Sequence, residues 1–245
     1  MVQSMLNTDT MNTEACVEQA IRIIEAGGKL VRITAPGVKE AKNLENIHAE
    51  LRRRGYTTPL SADIHFNPEA AIEAAKHVEK VRINPGNFVD KRATFKTLTY
   101  TDEEYAAELE RLREKFTAFL DVCREYGTAV RIGTNHGSLS DRIMSRYGNT
   151  PAGMVEATME YLRVCRDEKF DDVMISLKSS DCRVMVEAVR LLVKEMEKEG
   201  MNYPLHLGVT EAGEGESGRG RSAVGIGTLL NEGLGDTIRV SLTEE

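Results

Sequence analysis

The chain has 245 residues, a length typical of a single α/β barrel. Its hydrophobic content of 41% is enough to form a core and excludes a disordered protein, and its net charge of −7 argues against nucleic acid as a partner. No apolar stretch approaches the ~18 residues that a membrane span needs, and no signal peptide opens the chain, so we expect no membrane association.

Eight short runs have the composition of strands, and helical patterns separate them. We predict strands at 1–5, 30–35, 59–65, 80–84, 128–134, 171–178, 204–210 and 236–242. We predict helices near 12–26, 38–54, 68–77, 102–126, 150–168, 181–199 and 219–234. Asn12 is a good N-cap for the first helix, and Thr101 with the acids after it is a typical helix start. Residues 85–101 are predicted to form a long loop that could act as a lid, and the glycine-rich run 212–220 a mobile loop.

Alternating strands and helices indicate parallel strands joined by right-handed crossovers. We predict that residues 1–245 form one domain, a (β/α)8 TIM barrel in which no eighth helix follows the last strand. An open doubly wound sheet fits less well, because polar residues end nearly all the strands and no G-x-G-x-x-G follows the first one. The four cysteines lack metal or iron–sulfur spacing, so we interpret them as reduced, packed thiols.

An arginine interrupts a β-branched run at four places, 31–33, 81–83, 130–132 and 238–240. A buried charge is costly unless a partner neutralises it. Some of these arginines could pair with Asp63, Glu211 or Asp236 inside the barrel, but these carboxylates are too few for all of them. The pattern therefore favours a polyanion, a diphosphate or a bisphosphate, as the ligand.

Other polar residues lie near the predicted strand ends, where barrel active sites are built. Glu211 is the best acid/base candidate, because a carboxyl in a partly dry pocket can exchange a proton near neutral pH. Lys178 could bind phosphate or form a Schiff base, as in barrel aldolases. The candidate set is Arg32, Asp63, His65, Arg82, Asn84, Arg131, Asn135, Lys178, Glu211, Arg239 and Ser241.

Several stretches closely resemble the 4-hydroxy-3-methylbut-2-enyl diphosphate synthase family, the iron–sulfur enzymes of the methylerythritol phosphate route to isoprenoids. They are VQSMLNTDT (2–10), ADIHF (62–66), VRINPGN (81–87), RIGTNHGSLSDRI (131–143), SLKSSD (176–181), PLHLGVTEAGEGE (204–216) and SAVGIGTLLNEGLGDTIRVSLTEE (222–245). The resemblance runs essentially end to end, and the 85–126 segment resembles the plant and bacterial branch that carries an extra middle domain.

The resemblance implies a barrel that binds 2-C-methyl-D-erythritol 2,4-cyclodiphosphate. It implies a separate domain with a 4Fe–4S cluster, fed by ferredoxin or flavodoxin, and a head-to-tail homodimer of the full-length enzyme. The family reaction opens the ring reductively and expels a hydroxyl as water, with Asp63 and Glu211 near the reacting carbons and Glu211 as proton donor. The family's phosphate-binding positions match Arg32, Arg82, Asn84, Arg131, Asn135, Lys178, Arg239 and Ser241, and His65 is carried over as a further substrate contact.

The middle domain and the cluster domain, with its cysteine ligands, are absent from this sequence. We therefore interpret the chain as the substrate-binding barrel of a longer protein or a truncated gene product, inactive without the cluster domain. We expect a cytoplasmic location in bacteria, or the plastid for a plant-type source. Two alternatives stay open: a redox-independent barrel, either a phosphosugar aldolase or a pteroate-synthase-like transferase, and a non-catalytic diphosphate-binding module.

Overall fold

Strands and helices alternate along the chain in the computed structural model, which describes residues 2–90 and 99–242. The strands are β1 (Gln3–Met5), β2 (Leu30–Thr34), β3 (Leu60–Asp63), β4 (Lys80–Ile83), β5 (Ala129–Asn135), β6 (Val173–Lys178), β7 (His206–Leu207) and β8 (Thr237–Ile238). The helices are α1 (Thr13–Glu25), α2 (Val38–Arg53), α3 (Pro68–Ala75), α4 (Asp102–Tyr126), α5 (Asp141–Tyr147), α6 (Pro151–Asp167), α7 (Cys182–Lys198) and α8 (Gly215–Asn231).

Two compact units make up the structure. Unit 1 comprises Met1–Ile83 and Lys115–Arg131, and unit 2 comprises Asn84–Glu114 and Ile132–Glu245. The chain passes between them three times: after Ile83 at the end of β4, within α4 and within β5. The prediction of a single domain over residues 1–245 stays a prediction.

Unit 1 contains a parallel sheet in which β1, β2, β3 and β4 pair in chain order. Its strands alternate in chemistry: Val31, Ile33, Leu60, Ala62, Val81 and Ile83 are buried apolar residues, and charged or polar residues stand between them. Because successive side chains of a strand point to opposite faces, one face of this sheet is apolar and the other is polar. Helix α2 packs against both α1 and α3, while α1 contacts β2 and α3 contacts β4.

Unit 2 is built around β6 and the helices that contact it. Helices α6 and α7 pack together and against β6, α8 packs on α7, and β6 contacts β7, which pairs in parallel with β8. The residues Ile175, Leu177, Leu207 and Val209 are buried here. Within the two described segments of the chain, no helix is both long enough and apolar enough to cross a membrane.

Local sequence signals explain several helix starts. The Asn12 side chain accepts a hydrogen bond from the Ala15 amide at 3.1 Å, as an N-cap should. Thr101 and Glu104 form a reciprocal capping box: the Thr101 amide donates to the Glu104 carboxylate at 2.8 Å, and the Glu104 amide donates to the Thr101 hydroxyl at 3.2 Å. Both predicted starts are therefore confirmed.

Three predictions of local structure need correction, and a fourth stays untested. The prediction of a mobile loop over 212–220 is wrong for all but its first residues. Helix α8 begins at Gly215 rather than near residue 219. The last two strands are much shorter than predicted, and helix α5 was not predicted at all. Residues 91–98 of the predicted lid lie outside the described residues, so that prediction stays untested.

Candidate functional site

Asp63 joins two arginines on the polar face of the unit 1 sheet. Its carboxylate accepts a hydrogen bond from Arg32, and its Oδ1 lies 3.1 Å from Nη1 of Arg82. All three side chains are buried, with 8%, 2% and 4% of Arg32, Asp63 and Arg82 exposed. The alternative that a carboxylate pairs these arginines is therefore correct for Arg32 and Arg82.

His65 and the two arginines together also fix the ionisation of Asp63. Burial alone would raise the pKa of this carboxyl, but a hydrogen bond from His65 and the charges of Arg82 and Arg32 outweigh burial. The pKa of Asp63 is consequently held well below its ordinary value. Asp63 is thus a permanent anion near neutral pH, suited to orienting two guanidinium groups rather than to exchanging protons.

Two further predicted residues lie with this group. The Nε2 atom of His65 is 3.4 Å from Oδ2 of Asp63, which confirms that these two side chains share a face. Arg131 on β5 is 5% exposed, and it lies near enough to Lys80 of β4 for the two positive charges to repel each other. The polar face of unit 1 therefore carries three buried guanidinium groups and one carboxylate, together with the half-buried ammonium of Lys80, a residue that the sequence analysis did not select.

Asn84, in unit 2, is buried in a turn rather than open at a strand end. Its side-chain amide donates to the Ser138 hydroxyl at 2.8 Å and accepts from the Gly86 amide at 3.2 Å. A Cβ atom at Gly86 would stand 1.5 Å from the Ser138 carbonyl oxygen, so only glycine fits there. Asn84 therefore fastens the 84–87 turn to the 3-10 turn His136–Ser138.

Lys178, the last residue of β6, lies against β7 in unit 2 and is 6% exposed. A Cβ atom at Gly208 would be 3.2 Å from its Cε, 3.3 Å from its Nζ and 2.9 Å from the Arg239 carbonyl oxygen. The missing side chain of Gly208 therefore makes room for the lysine. Gly208 is a positioning residue that sequence reasoning missed, although its place two residues after a buried histidine in L-H-L-G-V was a usable signal.

The remaining predicted site residues of unit 2 are less enclosed. Arg239 and Ser241 follow β8 and are half-buried, whereas Ile238 and Val240 are 46% and 52% exposed. The expectation of a buried strand around Arg239 is therefore wrong, because the strand ends at Ile238. Asn135 is half-buried at the end of β5, where its carbonyl accepts from the Ser138 hydroxyl at 3.3 Å.

Glu211 is exposed, so the expectation of a carboxyl in a partly dry pocket is wrong for this structure. The segment after β7 instead places the residue at the surface, with a backbone φ of 51°. A non-glycine residue in this left-handed region is uncommon and is strained by ~1–3 kcal/mol.

The structure offers no ligands for an iron–sulfur cluster in the residues that it describes. No three histidine, cysteine or carboxylate side chains of residues 2–90 and 99–242 come close enough to hold a metal ion. The four cysteines are free thiols, three of them buried, and burial raises the pKa of Cys123 to about 12. A cluster needs thiolates, and a buried thiol of this kind resists ionisation. These residues do not fit the cluster.

A family model described as "GcpE TIM-barrel domain" matches residues 1–245. This chain belongs to the GcpE family. The match and the observed alternation of strands and helices confirm the predicted TIM-barrel class. Proteins named "4-hydroxy-3-methylbut-2-en-1-yl diphosphate synthase (flavodoxin)" from Parabacteroides distasonis and Protochlamydia amoebophila are 67% and 56% identical to it over 244 residues.

Both alignments cover 100% of this chain. The chain spans only 40% of the Parabacteroides distasonis protein and 37% of the Protochlamydia amoebophila protein. Solved structures share the fold alone. Deoxyribose phosphate aldolase from Aeropyrum pernix is 11% identical with a TM-score of 0.54, covering 97% of this chain and 82% of its own. D-allulose 3-epimerase from a Methylomonas species is 11% identical with a TM-score of 0.58, at the same coverage.

Proposed function

We propose that this chain is the substrate-binding barrel of a 4-hydroxy-3-methylbut-2-enyl diphosphate synthase and that it binds 2-C-methyl-D-erythritol 2,4-cyclodiphosphate. The observation that carries the proposal is the charge on the polar face of unit 1, where Arg32, Arg82 and Arg131 are buried and Asp63 is the carboxylate between two of them. Guanidinium groups bind phosphate oxygens in bidentate fashion, and burial strengthens that attraction. The two phosphoryl groups of the cyclodiphosphate are the anions proposed to bind these guanidinium groups.

The residues take different parts in this proposal. Asp63 positions Arg32 and Arg82, and it stays ionised because its pKa is depressed. Glu211, held in its left-handed conformation, is the proposed proton donor to the reacting substrate. The proposed phosphate and hydroxyl contacts are Arg32, His65, Arg82, Asn84, Arg131, Asn135, Lys178, Arg239 and Ser241.

The whole protein is proposed to convert the cyclodiphosphate reductively to 4-hydroxy-3-methylbut-2-enyl diphosphate, with loss of water. The electron donor proposed for it is flavodoxin, because the two relatives carry that word in their names. Since residues 2–90 and 99–242 do not fit a 4Fe–4S cluster, the chain is assigned substrate binding and proton transfer and no part in electron transfer. A cytoplasmic location and a homodimer of the full-length protein remain predictions.

The proposal is tested by comparing how tightly the cyclodiphosphate binds to a variant of a site arginine and to a variant of a control arginine. We expect Arg131→Ala to weaken binding by calorimetry about tenfold or more, ~1.4 kcal/mol, because a buried phosphate contact is lost. Arg124→Ala is the matched control, since Arg124 is a partly exposed α4 residue paired with Asp121. Equal affinities of the two variants would refute the assignment of Arg131 to the ligand.

The aldolase alternative predicts a different reaction at Lys178. A Schiff-base enzyme would form a borohydride-stable adduct between this lysine and a carbonyl substrate. We expect no adduct when the chain is incubated with phosphosugar aldehydes and borohydride and then examined by mass spectrometry. An adduct confined to Lys178 and lost in Lys178→Arg would favour the aldolase.

A further inference from the structure

Lys80 belongs to the polar face of unit 1 by its position in the sheet. It begins β4, two residues before Arg82, so both side chains lie on one face. Ser61 pairs in register with Arg32 on one side and with Lys80 on the other. Arg32, Ser61 and Lys80 therefore form one row across three strands, and Asp63 with Arg82 forms the next row toward the strand ends.

Positive charge surrounds this lysine. Arg32 from β2 and Arg131 from β5 repel it, and Arg82 follows it on its own strand. The one carboxylate on the polar face of β2, β3 and β4 is Asp63, which already pairs with two arginines. Within the described residues, no hydrogen bond or ion pair reaches the Lys80 side chain, and that side chain is half-buried.

The ammonium form of Lys80 is therefore destabilised in the ligand-free chain. Burial, followed by the charges of Arg131 and Arg32, lowers the pKa of Lys80 to about 8. An anion bound to these arginines would reverse the local field and restore the preference for the charged form. The proton would come from solvent, and no other group need change its ionisation.

We propose that Lys80 is a further anion-binding residue of this cluster and that it gains a proton when a diphosphate binds. The inference rests on the proposed function, because it needs a polyanion at Arg32 and Arg131. It adds a residue to the binding set and predicts that substrate binding is linked to pH in the range where Lys80 titrates.

Calorimetry in two buffers of different ionisation enthalpy measures this linkage. The 245-residue chain is titrated with the cyclodiphosphate at pH 8 in each buffer, and the difference in heat gives the protons taken up. We expect about half a proton per ligand, since half of the Lys80 side chains are neutral at that pH. Lys29→Met, at an exposed lysine preceding β2, is the control and should leave the uptake unchanged.

Two substitutions of Lys80 distinguish the effect of its positive charge on binding from its uptake of a proton. Lys80→Arg keeps a permanent cation, so it should bind within about threefold of the unsubstituted chain and take up no proton. Lys80→Met should bind at least about tenfold more weakly and also take up none. Uptake that persists in Lys80→Arg would overturn the inference, and so would binding by the unsubstituted chain without any uptake.

A measurement without ligand makes the test independent of the proposed function. The ε-carbon NMR signal of Lys80, assigned by its loss in Lys80→Arg, should titrate with a midpoint near pH 8. A midpoint near that of exposed lysines would overturn the Lys80 inference while leaving diphosphate binding intact. No binding of the cyclodiphosphate by the folded chain, with the NMR midpoint near pH 8, would instead overturn the proposed function and the ligand-linked proton uptake.

Discussion

Oδ1 of Asp63 lies 3.1 Å from Nη1 of Arg82, and both side chains are almost completely buried. The same carboxylate accepts a hydrogen bond from Arg32. One anion on β3 thus fixes two cations, one on each of the two flanking strands, before any ligand arrives, and this trio keeps one excess positive charge. Such preorganisation reduces the ordering cost of binding a phosphate.

Removing the charge of Asp63 should destabilise the chain strongly. Asp63→Asn keeps the shape of the side chain but leaves two buried guanidinium groups without their anion, which costs ~3–5 kcal/mol. Denaturant unfolding followed by circular dichroism measures the loss. Asp167→Asn, in a partly exposed pair with Arg113, should cost less than about 1 kcal/mol. Equal losses in the two variants would contradict the assignment of Asp63 as the buried anchor.

The same variant carries a pH signature. The folded pKa of Asp63 is lower than the unfolded value of about 3.9, so its stabilising effect is complete above that value and declines as pH falls toward the folded pKa. The stability difference between the unsubstituted chain and Asp63→Asn should therefore stay constant from about pH 8 to 5 and shrink below about pH 4. A difference that already declines between pH 7 and 5 would exclude a depressed pKa.

Replacing Lys80 should stabilise the ligand-free chain, whereas replacing Asp63 should destabilise it. A lysine whose folded pKa is about 8 binds fewer protons than the unfolded chain between that pH and about 10, so stability rises with pH in this window. Lys80→Met should raise the free energy of unfolding at pH 7 by ~1–3 kcal/mol and remove this rise. Lys29→Met should do neither, and a destabilised Lys80→Met would disprove the repulsion described for this site.

A side chain at Gly208 should displace Lys178. Gly208→Ala would bring a Cβ within 3.2 Å of Lys178 Cε and 2.9 Å of the Arg239 carbonyl oxygen. Overpacking of this kind costs ~1–3 kcal/mol, and we expect binding of the cyclodiphosphate to weaken roughly tenfold. Gly220→Ala, at a helical glycine with open space around it, is the control and should be neutral or slightly stabilising. Unchanged binding by Gly208→Ala would separate Lys178 from the ligand.

The contact between the 84–87 turn and the 136–138 turn should tolerate no side chain. Gly86→Ala places a Cβ 1.5 Å from the Ser138 carbonyl oxygen, so the turns must move apart and break the Asn84–Ser138 hydrogen bond. We expect a loss of more than ~2 kcal/mol in denaturant unfolding. Gly137→Ala, whose Cβ would meet open space, should change stability little. Two equal effects would contradict the close approach of these turns.

Much of the fold can be predicted from local sequence signals, and the predictions that failed did so for physical reasons. Arginine within β-branched runs predicted β2, β4 and β5 because alternation along a strand gives one apolar and one polar face. The start of α8 was predicted too late, because its glycines are typical of loops. A Cβ at Gly225 would lie 2.8 Å from Val209 and 2.9 Å from Met185, so this glycine allows close helix packing that only the tertiary structure shows.

The candidate site was predictable in its residue types but not in its electrostatics. The sequence predicts Asp63 as a possible partner of the arginines. That Asp63 pairs with two of them at once depends on the register of β2, β3 and β4, which the sequence does not show. Exposure of Glu211 depends on the path of the segment after β7, which no local pattern specifies. Lys80 could have been found, since it stands two residues before Arg82 and therefore on the same face.

Calorimetric titration of the unsubstituted chain with 2-C-methyl-D-erythritol 2,4-cyclodiphosphate, with a sugar monophosphate as the reference ligand, tests most directly whether the buried arginines bind a diphosphate. Selective binding of the cyclodiphosphate, at least about tenfold tighter than the monophosphate, is the predicted result. It would mean that the buried arginines form a diphosphate site before any other domain is present. Equal affinities, or no binding by a chain that circular dichroism shows to be folded, would mean that the buried arginines do not form such a site.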